Sequence, residues 1–551
     1  MNHQNIHEFL SRKISILNGV GEKTKKLLMK KKIERVSDLL WDFPHGYTDR
    51  SNLQALDNLE IGKITTIKVK VIKYSFPRIR NLPSKVICED SKGKIDIVFF
   101  NSREGYLKKI LPLNEWVVIS GKVNFYNKKY QTEHYINFML SDMLNPDNFI
   151  RISHYLLLDG NIDLEGESQL LQDHGSILAN SSQGWAEIDQ EGRMSSYNYN
   201  YWTSPVTIQG ANNNSGFMLN QVLYDASNAN NPQPVNFQNG YFIADKPKTS
   251  PITISNEWIW DFRGGDADIY GDWLFLGSNF LEITGAGYSM KGTDGTVAPN
   301  AMKQRYAFRG KPNNGNIPTA ELYLNNAQNY LVGNPYPSAI DAEKFLKDNL
   351  VSVGTGTGNN ENNQNVFNGT LYYWDHFSGS THILEEYIGG YATYTLSGSA
   401  PAISNDWRIN SAGGTNNVLP KRYIPVAQGF FLNSTPVGSV NFGGDIIFKN
   451  TQRIYKRTST DPSIFLQQEE DLVKVNSSIK SGEDTRMKIR VKFESPKGFH
   501  RQILVTRDEN TSNGFDVGYD APLIENNLED MYWWFDDSRF VIQGVPSFEK
   551  E

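Results

Sequence analysis

Residues 61–75 read IGKITTIKVKVIKYS, and this stretch sets the character of the fold. Ile64, Ile67, Val69 and Val71 alternate with Lys68, Lys70 and Lys73. A period of two is the mark of a half-buried strand, apolar inward and here basic outward. Further strands are expected at 84–90, 94–100, 115–124 and 128–136, split by turn signals such as Ser91-Lys92-Gly93 and Tyr126-Asn127-Lys128. Five short strands with basic faces after a helical prefix point to an OB-like barrel. The prefix, residues 5–45, is interrupted at Gly19-Val20-Gly21 before Glu22–Met29 restarts a helix with apolar residues on one side. Two glycines permit a tight turn, and N–H groups at a helix start can hold a phosphate. The pattern is helix-hairpin-helix-like, and a plain helix-turn fits it equally.

Working outward, the character changes between about 135 and 150. Lysine becomes sparse, and Asn, Gly, Ser and aromatics take over, as in YNYNYWTSPV (197–206) and GANNNSGFMLN (210–220). Short strands separated by turn-rich loops are expected, with one clear helix over 340–350 and Asp341 as its N-cap. The expected fold is mainly β with a short N-terminal helical segment: an OB-like barrel followed by β-sandwich-like domains. The expected borders are a helical segment over 1–55, the barrel over 56–137 and a junction over 138–150. Three β-rich pieces follow, over 151–315, 316–460 and 461–551.

Charge divides at the same place. Residues 1–135 hold 25 Lys/Arg against 14 Asp/Glu, and the remaining residues hold 30 against 47, within an overall net charge of −6. A basic head suits phosphate backbones and an acidic body does not. The single cysteine, Cys88, excludes an intrachain disulfide framework and a multi-cysteine metal site. No apolar run is long enough to span a membrane. The N-terminus lacks the layout of a secretory signal, so the chain as written is expected in the cytoplasm.

Gly19-Val20-Gly21, then Ile33–Leu40 (IERVSDLL), then Phe43-Pro44-His45-Gly46-Tyr47-Thr48-Asp49-Arg50, resembles the opening of RecG-type branch-migration helicases. Glu60-Ile61-Gly62, Glu89–Gly93, Phe99-Phe100-Asn101…Tyr106-Leu107 and Ser120-Gly121-Lys122-Val123 continue the resemblance over about 10–135. It implies a wedge domain with an OB-fold that contacts branched or forked DNA. It also implies base stacking by Phe100 and Tyr106, expected on either side of a short turn; strand alternation turns one of Phe99 and Phe100 inward, and Phe99 is the one expected in the core. Arg103, Lys108 and Lys109 lie close by in sequence, and Arg78, Arg80, Lys128 and Lys129 are placed to track a backbone. Gly19, Gly21 and Lys23 complete the candidate DNA contacts; the lysines around Lys23 read equally as a solvated helix face. A RecG motor needs a GxxxxGK[ST] loop, and the Gly-Lys pairs at 62, 93, 121 and 310 are never followed by Ser or Thr. No enzyme activity and no cofactor are expected.

The second region carries Asn198–Val206 (NYNYWTSPV), Leu331–Ser338 (LVGNPYPS), Gly369–His376 (GTLYYWDH), Gly389–Tyr394 (GGYATY) and Ala427–Phe431 (AQGFF). Together these resemble exported surface β-proteins of gliding-type bacteria carried by type IX secretion. That family opens on a secretion signal and closes on a sorting domain. Here a RecG-like module stands first and the chain stops at GVPSFEKE, so an apparent chimera of two fragments is expected. Asp266, Asp268 and Asp272 are weak calcium candidates through hard oxygen ligands, and an acidic surface turn is the plainer reading. His382 near Glu385-Glu386, and Trp374-Asp375-His376, form the local His/carboxylate group, read as polar residues on a hairpin.

The expected function is a non-catalytic composite, a fork-binding wedge joined to a surface-protein fragment whose surface ligand is unknown. The alternative is a surface adhesin-like or glycan-binding β-protein with an irrelevant N-terminal extension.

Overall fold

A computed structural model describes residues 12–16, 25, 28–29, 34–36, 53–54, 56, 59, 64–76, 84–99, 104–126, 129–132, 149–265, 270–297, 302–317, 323–353, 365–383, 386–403, 417–458, 484–524 and 529–549. The chain forms two compact units, Met1–Phe138 and Met139–Glu551.

In the first unit β1 is Ile64–Ser75, β2 Ser84–Glu89, β3 Lys94–Phe99, α1 Glu104–Ile110, β4 Trp116–Tyr126 and β5 Lys129–Thr132. Hydrogen-bonded neighbours run β1-β2-β3-β5-β4, and β4 pairs back onto β1. The β3–β5 contact is a parallel seam of only two residue pairs. This is the strand order of the OB-like barrel expected from the alternation. Val69, Val71, Val86, Cys88, Ile97 and Ile119 fill it, all essentially inaccessible. Ahead of the barrel the described residues include a single 3-10 turn, Ile14–Ile16, and helical positions at Lys25, Leu28, Met29 and Val36. The Ile14 N–H donates to the Glu34 carbonyl at 2.9 Å, and both Ile14 and Val36 are buried.

The second unit is mainly β. One sheet holds β6 (Asn161–Leu164), β7 (Trp185–Arg193), β9 (Leu223–Asp225) and β13 (Lys303–Pro312), with β7 and β13 paired antiparallel over eight residues. A second joins β8 (Tyr199–Trp202), β12 (Tyr288–Lys291), β10 (Ile259–Asp261) and β11 (Leu274–Phe275), in that order. A third runs β14-β18-β15-β16-β17, from Asn329–Gly333, Gly429–Asn433, Leu371–Ser378, Ile388–Thr395 and Gly398–Ala400. A fourth contains β19 (Lys488–Glu494), β20 (His500–Arg507), β22 (Ser538–Val545) and β21 (Ala521–Pro522). These strands are rich in Tyr, Phe, Val and Ile, which fit a pleated, buried surface. The helix read at 340–350 is α2, Ala342–Asn349, and the Asp341 side chain caps it by accepting the Glu343 N–H at 3.1 Å.

The sequence-read border at 460/461 lies outside the described residues, while buried side chains from both sides of 315/316 share packed cores. Ala286 shares one cluster with Tyr373, Phe430, Val517 and Phe540. Val426 and Ala427 belong with Leu164, Trp202 and Phe308 in another. Burying an aromatic side chain contributes about 1.5–3 kcal/mol, so such shared residues bind the β-rich pieces into one body.

Candidate nucleic-acid interface

β1 supplies the basic face. Ile67, Val69 and Val71 point into the core, leaving Lys68 exposed and Lys70 half-exposed outside. Strict alternation would bring Ile72 and Tyr74 out next. Instead the register against β2 slips between Val71 and Lys73. Lys70 then lies opposite Glu89 and Lys73 opposite Ile87, two residues apart on β2 and therefore on one face. The bulge thus adds exposed Lys73 to Lys68 and Lys70, at an odd offset that a regular strand would forbid.

The strand ends on two rings. Tyr74 and Phe76 stack with centroids 5.6 Å apart and planes at 17°. The Tyr74 hydroxyl donates to the Leu111 carbonyl at 2.6 Å, tying the strand end to the residue after α1, and burial raises its pKa above the ordinary phenol value. Lys108 of α1 lies 5.8 Å from the Phe76 ring centre and pairs with Glu104 one turn earlier at 2.6 Å. Both partners are about half exposed, so this pair holds by only a few tenths of a kcal/mol, roughly. Lys108 can exchange it for a phosphate at small cost.

The expected short turn between Phe100 and Tyr106 is corrected by α1. Leu107 and Leu111, four apart, are fully buried in the barrel core, and that pairing draws 104–110 into a helix. Tyr106 and Lys109 stand on α1 and Lys129 on β5. Lys108 is the one proposed contact whose side chain is described, and it is exposed. Phe100, Arg103, Arg78, Arg80, Lys128, Gly19, Gly21 and Lys23 lie outside the described residues. Phe99 is in the core, as expected. The Glu89–Gly93 motif is a turn: Asp90 accepts the N–H groups of Leu56, Lys92 and Gly93 at 2.7–2.9 Å. Sequence reading passed over Tyr74, Phe76 and Trp116, although each is an aromatic beside a lysine-bearing strand.

In the second unit His382 meets other partners than the expected Glu385-Glu386 neighbourhood. Its Nδ1 lies 2.9 Å from Lys291 Nζ, and its Nε2 lies 2.9 Å from Asp245. It stacks on Trp258 at 4.9 Å, and Lys291 sits over the rings of Trp258, Tyr199 and Tyr387. Burial is the main cause of a Lys291 pKa lowered to about 6, and it lowers that of His382 too. Asp375 is fully buried and pairs with Arg193 at 2.8 Å. Asp272 lies against Gly265, while Asp266 and Asp268 fall outside the described residues. Among the described residues no three His, Cys, Asp or Glu side chains are grouped to hold a metal, and no helix is long and apolar enough to cross a membrane.

Residues 143–551 match the family model described as a domain of unknown function, DUF8693. The chain belongs to that family. Ahead of the DUF8693 region, residues 13–136 match the RecG wedge domain. The chain is similar to the ATP-dependent DNA helicase RecG of Thermotoga maritima, 30% identical over 125 residues, 22% of this chain and 16% of that protein. It thus spans about a sixth of that relative's length. The structure of RecG bound to a three-way DNA junction matches at 26% identity over 23% of this chain and 18% of that one, with a TM-score of 0.20.

Proposed function

We propose that residues 13–136 bind branched DNA as a wedge, with no motor in this chain to move it. The observation that carries the reading is the wedge-family match over 13–136 on a barrel whose first strand turns Lys68, Lys70 and Lys73 outward. The two matched regions, 13–136 and 143–551, leave no room in this chain for a pair of motor domains. Phosphate contacts of this kind position without reading sequence, and exposed rings add sequence-tolerant stacking. The test is fluorescence anisotropy of the full chain with a labelled three-way junction and a blunt duplex of the same length. Preference for the junction, weakening with salt, is expected, and Phe100→Ala should lower it. Equal affinity for both DNAs would refute the wedge reading; an unchanged Phe100→Ala affinity would refute only the stacking role.

For residues 143–551 we propose a part of an exported surface β-protein, on the strength of the ordered aromatic and Gly/Pro/Asn strings. Fractionation of the source cells tests it, and recovery with cytoplasmic markers alone would count against it. A single unbroken read of source DNA across codons 110–170 tests whether the two regions are one gene.

A further inference from the structure

We propose that Trp116 is a second nucleobase-stacking platform of the wedge, served by Lys68, Lys70 and Lys73 and lying outside the segment 100–109. This rests on the reading of residues 13–136 as a DNA-binding module. Trp116 opens β4 directly opposite Lys70 of β1, with Val118 opposite Lys68. The ring is 49% exposed, whereas Ile119 on the inward side of the same strand is fully buried.

The register holds it there. Asn114, at φ 67° in the turn before β4, donates its N–H to the Val71 carbonyl at 2.8 Å. The Val71 N–H in turn donates to the Glu115 carbonyl at 2.9 Å. A slip of one residue would invert every side chain on β4 and expose Val117 and Ile119, so the indole is fixed on the outside.

The charges around it select the ligand. Lys70 is one strand spacing away, about 5 Å, with Lys68 and Lys73 on the same face. Glu89, on the far side of Lys70, is engaged by Lys94 at 3.2 Å. Glu115 is the exposed carboxylate beside the ring. An exposed aromatic on a strand face that also carries three exposed or half-exposed lysines matches a nucleotide, whose base stacks while its phosphate meets a lysine. A protein partner fits less well, because lysine is depleted where protein interfaces are built.

The experiment uses the full chain with oligothymidylate carrying one 2-aminopurine, alongside the three-way junction. Trp116→Ala should weaken oligothymidylate binding about 5- to 150-fold, the span of one stacked base. It should also abolish quenching of the 2-aminopurine. Trp116→Phe should keep most of both, and unchanged melting of each variant shows that the barrel is intact. If the parent binds the junction and Trp116→Ala binds and quenches like the parent, the platform is refuted while the wedge reading stands. If the parent binds neither DNA, the wedge reading itself fails. Loss of self-association in Trp116→Ala with unchanged DNA binding would assign the face to a protein partner and refute the platform.

Discussion

Replacing Lys68, Lys70 and Lys73 together by glutamine tests whether the face made by the β1 bulge neutralises phosphates. Lys68 and Lys73 are exposed and Lys70 is half-exposed, and none of the three occupies the barrel core, so the fold should tolerate the change. Each phosphate neutralised contributes about 0.7 to 0.9 to the slope of log affinity against log salt. Three lysines therefore account for a slope of about 2 to 2.7. Between about 50 and 200 mM salt, their removal should shrink the fall in affinity by about 20- to 40-fold. At the lower salt concentration the variant should bind more weakly than the parent, and the two should converge as salt rises. Anisotropy titrations of the labelled junction at several salt concentrations read both quantities. A variant with the parental slope and parental affinity would show that this face does not meet the phosphate backbone.

Three further outcomes are expected. Asp375→Ala leaves the buried Arg193 guanidinium without its carboxylate, 2.8 Å away in the native protein, and should cost about 3–5 kcal/mol in urea denaturation. The double replacement Arg193→Met, Asp375→Leu should recover most of that loss; if it is as unstable as the single variant, the charge argument is wrong. Asp189 is held at a pKa of about 7, chiefly by burial, against the pull of the Gly166 N–H. Because its folded pKa is raised, it favours folding at low pH, and that contribution is lost as pH climbs from about 4 to about 7. Asp189→Asn should remove this share of the slope, so its stability relative to the parent should rise over that window and level off above it. Burial, with Asp96 adding to it, pushes the Cys88 thiol up to about 12, so iodoacetamide at pH 8 should label it only when the barrel opens. Labelling of the native chain as fast as in denaturant would contradict the barrel core.

The barrel was legible because its first strand, β1, buries one side. Alternation such as Ile67-Lys68-Val69-Lys70 survives in the sequence, and strand limits follow from the turn residues between. α1 was not legible: seven residues, with Leu107 and Leu111 as its burial signal, fall below what periodicity can separate from a turn. α2 was, because Asp341 supplies a cap and Phe345, Leu346 and Asn349 a buried side. In the second unit strands such as Tyr288–Lys291 and Gly429–Asn433 are buried on both faces, so alternation fades there. The grouping of Lys291, His382 and Asp245 joins residues 91 and 137 apart. Spacing along the chain carries no trace of such a pairing, and the sequence offered His382 the adjacent glutamates instead.

The Asn/Gly/aromatic strings of the DUF8693 region gain a physical meaning from where they fold. Asn334, in LVGNPYPS, donates its side-chain N–H groups to the carbonyls of Ser338, Ile424 and Pro425 and accepts the Tyr336 N–H. Tyr336 is fully buried, with its hydroxyl on the Gly315 carbonyl and Arg453 over its ring. Thr203, in NYNYWTSPV, donates to the Ala286 carbonyl and packs so close to Gly333 that a Cβ there would fall 2.6 Å from its methyl group. Gly429, in AQGFF, is required in the same way by the Tyr201 backbone at 2.7 Å. Asn, Gly and aromatic residues at these positions therefore serve cross-bracing between sheets. What these strings encode is the close approach of β8, β14 and β18, a packing role that by itself implies no reaction.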